Sequence, residues 1–219
     1  VVISTLKTAK TVRAASDSVL LNFERPADQS DAAKARRAGF GKKFYDKYAT
    51  DSTAQKGVSG VSKCYASAVV AVAIGELGYV EKASNSQLDD KTANAGSANW
   101  TKYARDFDEK YPKWYNGKKN GYEWCDMFVD WCFVTAFGYE NALRLLCQPE
   151  RSCGAGCTWS AKYYKQKGQF HTSNPKMGDQ IFFGTSIDNC THTGLVEKVD
   201  ASKVYTIEGN TNNQCARRS

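Results

Sequence analysis

The spacing of apolar residues changes once along this chain, near residue 175, and that change sets the fold class. Upstream, apolar positions recur with a helical period near 3.6. After "NPKMGDQ" they alternate with a period of two. "QIFFG", "HTGLVEKV" and "KVYTIEG" then read as strands, the last two joined by a short turn near "DAS". Helices first and antiparallel strands afterwards predict an α+β domain.

The helical part divides further. A first helix is expected over residues 11–24, stopped by Pro26. A second, capped by Ser30, carries Ala33, Phe40, Phe44 and Tyr48 on one face. "TDSTAQKGVSG", residues 50–60, is polar and contains Gly and Ser, as a linker does. A buried helix follows over residues 61–77, then the polar loop "EKASNSQLDDKTANAGS". Trp100, Tyr103, Ala104 and Phe107 mark an amphipathic helix. Pro112 and "YNGKKNG" interrupt the chain before a helix that opens at Cys125. Phe128, Val129, Cys132, Phe133 and Ala136 continue its apolar face and Gly138 ends it. Shorter helices are expected near 139–147 and 158–167. The expected division is a helical segment 1–49, a linker 50–60 and a domain 61–219.

Composition narrows the function classes. The formal charge is +7, of which +5 falls in residues 1–50. A basic N-terminal segment suits polyanions, either nucleic acid or wall polymers. No nucleic-acid-reading motif accompanies it, so nucleic acid is not an expected partner. The most apolar run, "YASAVVAVAI", is about half the roughly twenty residues of a membrane span, and a buried helix is expected there. There is no signal peptide and the first residue is Val1, so the chain reads as part of something longer. A monomer is expected. The eight cysteines need not pair, because a chain of this size does not require disulfide staples. Cys147, Cys153 and Cys157, with His171 downstream, make zinc conceivable. The paired C-x2-C spacing of structural zinc sites is absent, and ordinary thiols are the simpler reading.

Cys125 stands at the predicted first turn of its helix, where free N–H groups and the helix dipole favour a thiolate. Cys132 lies inside the same helix and reads as core. Only two histidines can serve as base. His171 sits in a loop, whereas His192 begins a strand whose neighbour ends in Glu208 and Asn210. If His192 pairs across from Asn210, Glu208 becomes a diagonal neighbour on the same face, able to orient the imidazole. That phase requires an odd-length turn or a bulge, since a two-residue turn sends His192 and Glu208 to opposite faces. From spacing alone, a buried thiol and a nucleophile both remain open for Cys125.

"NGYEWCDMFVDWC", "PKMGDQIFF", "HTGLVEKV" and "VYTIEGNT" resemble, in order and spacing, the CHAP domain, the cysteine, histidine-dependent amidohydrolases/peptidases of bacterial wall lysis. "ELGYVEKASNSQLDDKTANAGSANWTKYARDF" resembles the N-terminal part of such domains in phage- and Firmicutes-type lysins, so the likeness runs from about Val61 to the C-terminus. It implies a papain-like fold, with helices packed on an antiparallel sheet. Cys125 would be the nucleophile, His192 the base, and Glu208 with Asn210 the orienting groups. It also implies peptidoglycan as substrate, an extracellular or virion-associated location, and anionic wall polymers as partners of the basic segment. Calcium occurs in some CHAP domains; Asp89 and Asp90 could be ligands here, and a solvated loop explains them as well. Trp100, Trp114, Tyr115, Tyr122 and Trp124 could line a groove or simply pack. Residues 17–48 more weakly resemble the closing part of phage-tail lysozyme-like domains, without an active site. CHAP domains usually continue with further strand after the Glu-x-Asn motif. Here nine residues follow Asn210, so an incomplete sheet is expected. The rival readings are a papain-like protease on protein substrates and an inert wall-binding or virion module.

Overall fold

The computed structural model describes the backbone of residues 9–21, 28–49 and 59–219, and the side chains of 9–21, 28–42 and 66–219. The chain forms two compact units, Val1–Gly60 and Val61–Ser219. In the first, α1 (Val12–Val19) is capped by the Thr11 hydroxyl, which accepts from Ala14 N. α2 (Asp31–Ala49) starts at Ser30, whose Oγ accepts from Ala33 N at 3.2 Å. Ala33 is buried, but Phe40, expected on the same face, is 61% exposed. Gly41 already faces Val12, the first residue of α1, so Phe40 stands at the edge of what α1 can cover. The side chains of Phe44 and Tyr48 lie outside the described residues, as do Pro26 and positions 50–58 of the linker expected over 50–60. Ser59 and Gly60 are helical.

The second unit holds α3 (Ser59–Gly75), α4 (Lys102–Lys110), α5 (Cys125–Phe137), α6 (Tyr139–Leu145) and α7 (Cys157–Gln166). A sheet follows, with β1 (Gln180–Ser186), β2 (Asn189–Val199), β3 (Val204–Thr211) and β4 (Gln214–Arg218) antiparallel in chain order. α5 lies across β2 and β3, α7 against β2, and α4 against α5. α4 begins after Thr101, whose side chain caps Ala104 N. Trp100 therefore precedes the helix it was expected to join and instead pairs with Lys82. The loop read as polar opens on two buried residues, Glu81 and Lys82.

The sheet is not cut short after Asn210. Residues 214–218 form β4, with Ile207 opposite Arg217 and Glu208 opposite Ala216. The outer edge of β4 is covered in turn, because Gly78 N donates to Cys215 O and Cys215 N to Tyr79 O. "QCARR" has neither apolar alternation nor β-branched residues, so nothing in its pattern marks a strand.

One glycine sets how closely the layers meet. A Cβ at Gly209 would stand 2.5 Å from Phe128 Cβ and 2.8 Å from a Trp124 ring carbon. The backbone of β3 thus touches the first turn of α5, which brings this strand and the start of the Cys125 helix together. Gly209→Ala is expected to destabilise the fold by about 1–3 kcal/mol, as overpacking does. Chemical denaturation of the two proteins side by side measures it, and an unchanged midpoint would refute the close approach.

Candidate active site

The β2–β3 hairpin determines which residues meet. Its register pairs Val199 with Val204 and Lys198 with Tyr205, then shifts so that Val196 faces Thr206 and Leu195 faces Ile207. Glu197 is the extra residue, a bulge that changes the phase between turn and site. Continued three places, the same register sets His192 across from Asn210, with Glu208 diagonal to His192 on one face. His192 Nε2 lies 2.9 Å from Glu208 Oε2. Gly194 makes room for this contact, since a Cβ there would come within 2.6 Å of Glu208 Cγ. The other carboxylate oxygen accepts from Thr206 Oγ1 at 2.5 Å. Glu208 is buried, which by itself raises its pKa. The hydrogen bonds from His192 and Thr206 outweigh that and hold the carboxyl below its ordinary value.

A lowered folded-state pKa stabilises the protein above the unfolded carboxyl's value of 4.5, and that contribution disappears as pH falls through the folded value. Glu208→Gln should therefore be less stable than the parent at neutral pH, with the gap closing below pH 4.5. Urea melts of both proteins across this range test it. A gap independent of pH would remove the ionic role of Glu208.

Asn210 makes its hydrogen bonds away from His192. With its carboxamide oxygen turned toward donors, it accepts from Trp124 N and donates to Glu81 Oε2, both at 3.2 Å. Glu81 Oε2 also accepts from Trp124 Nε1 at 2.9 Å, and its Oε1 from Asn99 N at 3.2 Å. Asn210, in the left-handed region with φ 57°, and the buried Glu81 thus fix the residue that immediately precedes Cys125. Glu81 escaped the sequence reading because it opens a run of polar residues and carries no periodic signal.

Cys125 is the first residue of α5 and is nearly buried. Its N–H, in the first helical turn, has no intrahelical acceptor. Asp126 ties this turn down. Its Oδ2 accepts from Ser160 Oγ of α7 at 2.8 Å and its Oδ1 from Gln180 Nε2 of β1 at 2.9 Å. Burial and the charge of Asp130 push the Asp126 pKa well up. Asp130, one turn on, is raised to about 6 by burial, against hydrogen bonds from Gln148, Tyr115 and Trp114. The Cys125 thiol is hydrogen-bonded to Cys157, the first residue of α7. That bond, with burial and the Asp126 charge, raises Cys125. The same bond, with His192 nearby, lowers Cys157 to about 7.

Of the five aromatics considered for a groove, Trp114, Tyr115 and Trp124 are buried in the core, Trp100 is half-buried and Tyr122 is 61% exposed. Two rings the sequence did not single out are also exposed. Trp159 is on α7, and Phe183 stacks on His192 with centroids 5.9 Å apart. His171 is exposed, away from any regular element. Asp89 makes a two-pronged ion pair with Arg105, and Asp90 Oδ1 accepts from Thr92 N and Ala93 N. Both carboxylates are thus hydrogen-bonded within the protein. Among the described residues no group of three or more His, Cys, Asp or Glu could hold a metal ion.

A thiol at a helix start and an imidazole held by a buried carboxylate are the groups that thiol-dependent acyl-transfer hydrolases use. Residues 117–210 match the CHAP domain family, and the chain carries a CHAP domain over that span, a cysteine/histidine-dependent amidase or peptidase. No curated protein and no solved structure matches the chain. The matched span includes Cys125, His192, Glu208 and Asn210 and begins after α4. No helix among the described residues is long and apolar enough to cross a membrane.

Proposed function

We propose that this chain hydrolyses an amide bond of bacterial peptidoglycan, with Cys125 as nucleophile and His192 as base. The observation that carries the reading is the 2.9 Å contact of His192 Nε2 with buried Glu208, on the strands that α5 crosses. With Nε2–H donated to the carboxylate, the neutral imidazole keeps its lone pair on Nδ1, which takes the Cys125 proton. The thiolate attacks the amide carbonyl, and the Cys125 N–H donates to the tetrahedral oxyanion. His192 then protonates the leaving amine, and water releases the thioester. Glu208 orients the imidazole and balances its charge, whereas Asn210 acts through Trp124 on the position of Cys125. Tyr122, Trp159 and Phe183 offer exposed ring faces to the substrate around this centre. The basic segment before residue 50 favours anionic wall polymers, an attraction that salt should weaken. The protein then works at the cell wall, outside the cell or from a virion.

The test is mass spectrometry of material released from purified sacculi. Free stem peptides indicate cleavage of the muramoyl–alanine bond, and divided cross-links indicate endopeptidase action. Peptides released from casein but not from sacculi would make it a protein-directed protease. Binding to sacculi without release would make it an inert module.

A further inference from the structure

Cys157 has no part in the reaction just described, yet it is the group that acts most on the Cys125 thiol. α5 and α7 present their first residues to one another. The 2.8 Å bond between Asp126 and Ser160 pins the two helix starts, and Cys157 lies three residues before Ser160 on the same face of α7. Cys157 Sγ also donates to Cys190 O at 3.1 Å, while the Cys190 thiol turns toward Ser186 O and Ile187 O in the β1–β2 turn. Cys125, the residue before Asp126, is the thiol whose hydrogen bond weighs most on Cys157. Among the described residues all seven cysteines are free thiols.

We propose that Cys125 and Cys157 form a reversible disulfide when the protein meets hydrogen peroxide, and that this modification blocks the nucleophile and shields it from irreversible oxidation. The disulfide itself needs no assumption about substrate; the loss of lysis rests on the function proposed above. One sulfur, as thiolate, attacks a peroxide oxygen. An S–O bond forms, the O–O bond breaks, and the departing hydroxide takes up the proton the thiol had released. The second thiol then attacks the sulfenic sulfur. The S–S bond forms, the S–O bond breaks, and hydroxide leaves with that thiol's proton as water. Two thiols lose two electrons and one peroxide becomes two waters. Either thiol can take the first step: Cys157, lowered to about 7, is substantially ionised at neutral pH, and the Cys125 thiolate is the one His192 generates in the reaction proposed above. The two sulfurs have to close to about 2.05 Å.

The full chain is treated with peroxide, its remaining thiols are alkylated, and tryptic peptides are sequenced by mass spectrometry. The peptide with Cys125 also carries Cys132, and that with Cys157 also carries Cys153, so fragment spectra must place the link. A Cys125–Cys157 link is expected. Its absence, or a link between other pairs, would overturn the proposal whether or not the protein proves lytic. In parallel, the oxidised parent should lose sacculus lysis and regain it with dithiothreitol. Oxidised Cys157→Ser and Cys157→Ala should lose it and not regain it, because an unresolved sulfenic acid proceeds to sulfinic acid. Equal recovery in parent and variants would also overturn it.

Discussion

Cys125→Ala should abolish the release of wall fragments, lowering the rate by about 10⁴-fold or more, as removal of a nucleophile does in thiol and serine hydrolases. The fold should survive, because the change deletes a single sulfur at the start of α5. Phe128 and Val129, which bury this helix, are untouched. The turn stays tied through Asp126 to Ser160 and Gln180, and through Trp124 to Asn210 and Glu81. Initial rates on purified sacculi, compared with thermal melting of the same samples, separate the two effects. Lysis at the parent rate by a folded Cys125→Ala protein would end the proposed mechanism.

His192→Ala comes second, with a loss of about 10³–10⁴-fold expected once the base is gone. The other histidine is the control. His171 is exposed, and His171→Ala should keep the parent rate. Glu208→Gln should fall between them, since the amide can still accept from Nε2–H but carries no charge to balance an imidazolium. A pH–rate profile of Glu208→Gln distinguishes loss of that charge from loss of packing. If His171→Ala and His192→Ala exchange outcomes, the base has been misassigned.

The pairing of His192 with Glu208 could be read from the residues because it depends on parity. The requirement for a bulge followed from placing His192 and Glu208 on one face, and the register shift at Glu197 meets it. Contacts between distant elements were not legible. Glu81 reaches Trp124 across 43 positions and Asn210 across more than a hundred, and no periodicity encodes such a meeting. Cys157 was read as one of three ordinary thiols near a Gly-rich turn, because its neighbour is thirty-two positions upstream. β4 was missed because its residues are polar and basic and it pairs only after the turn at Asn212 and Asn213, both in the left-handed region. The aromatics divided by depth, which composition does not report.

The bulge has a consequence for how the gene may vary. Glu197 receives both arms of Arg217 from β4, at 2.8 Å each, so the residue that resets the strand is clasped by the last strand of the sheet. Residues may be added at the Asp200–Lys203 connection while the pairing at Leu195 and Ile207 stays as it is. Losing one codon between Val196 and Lys198 would turn His192 to the opposite side of the sheet from Glu208, with Cys125, His192 and Glu208 all still present. Lineages of this hairpin should therefore tolerate length changes at its tip and show none in its arm.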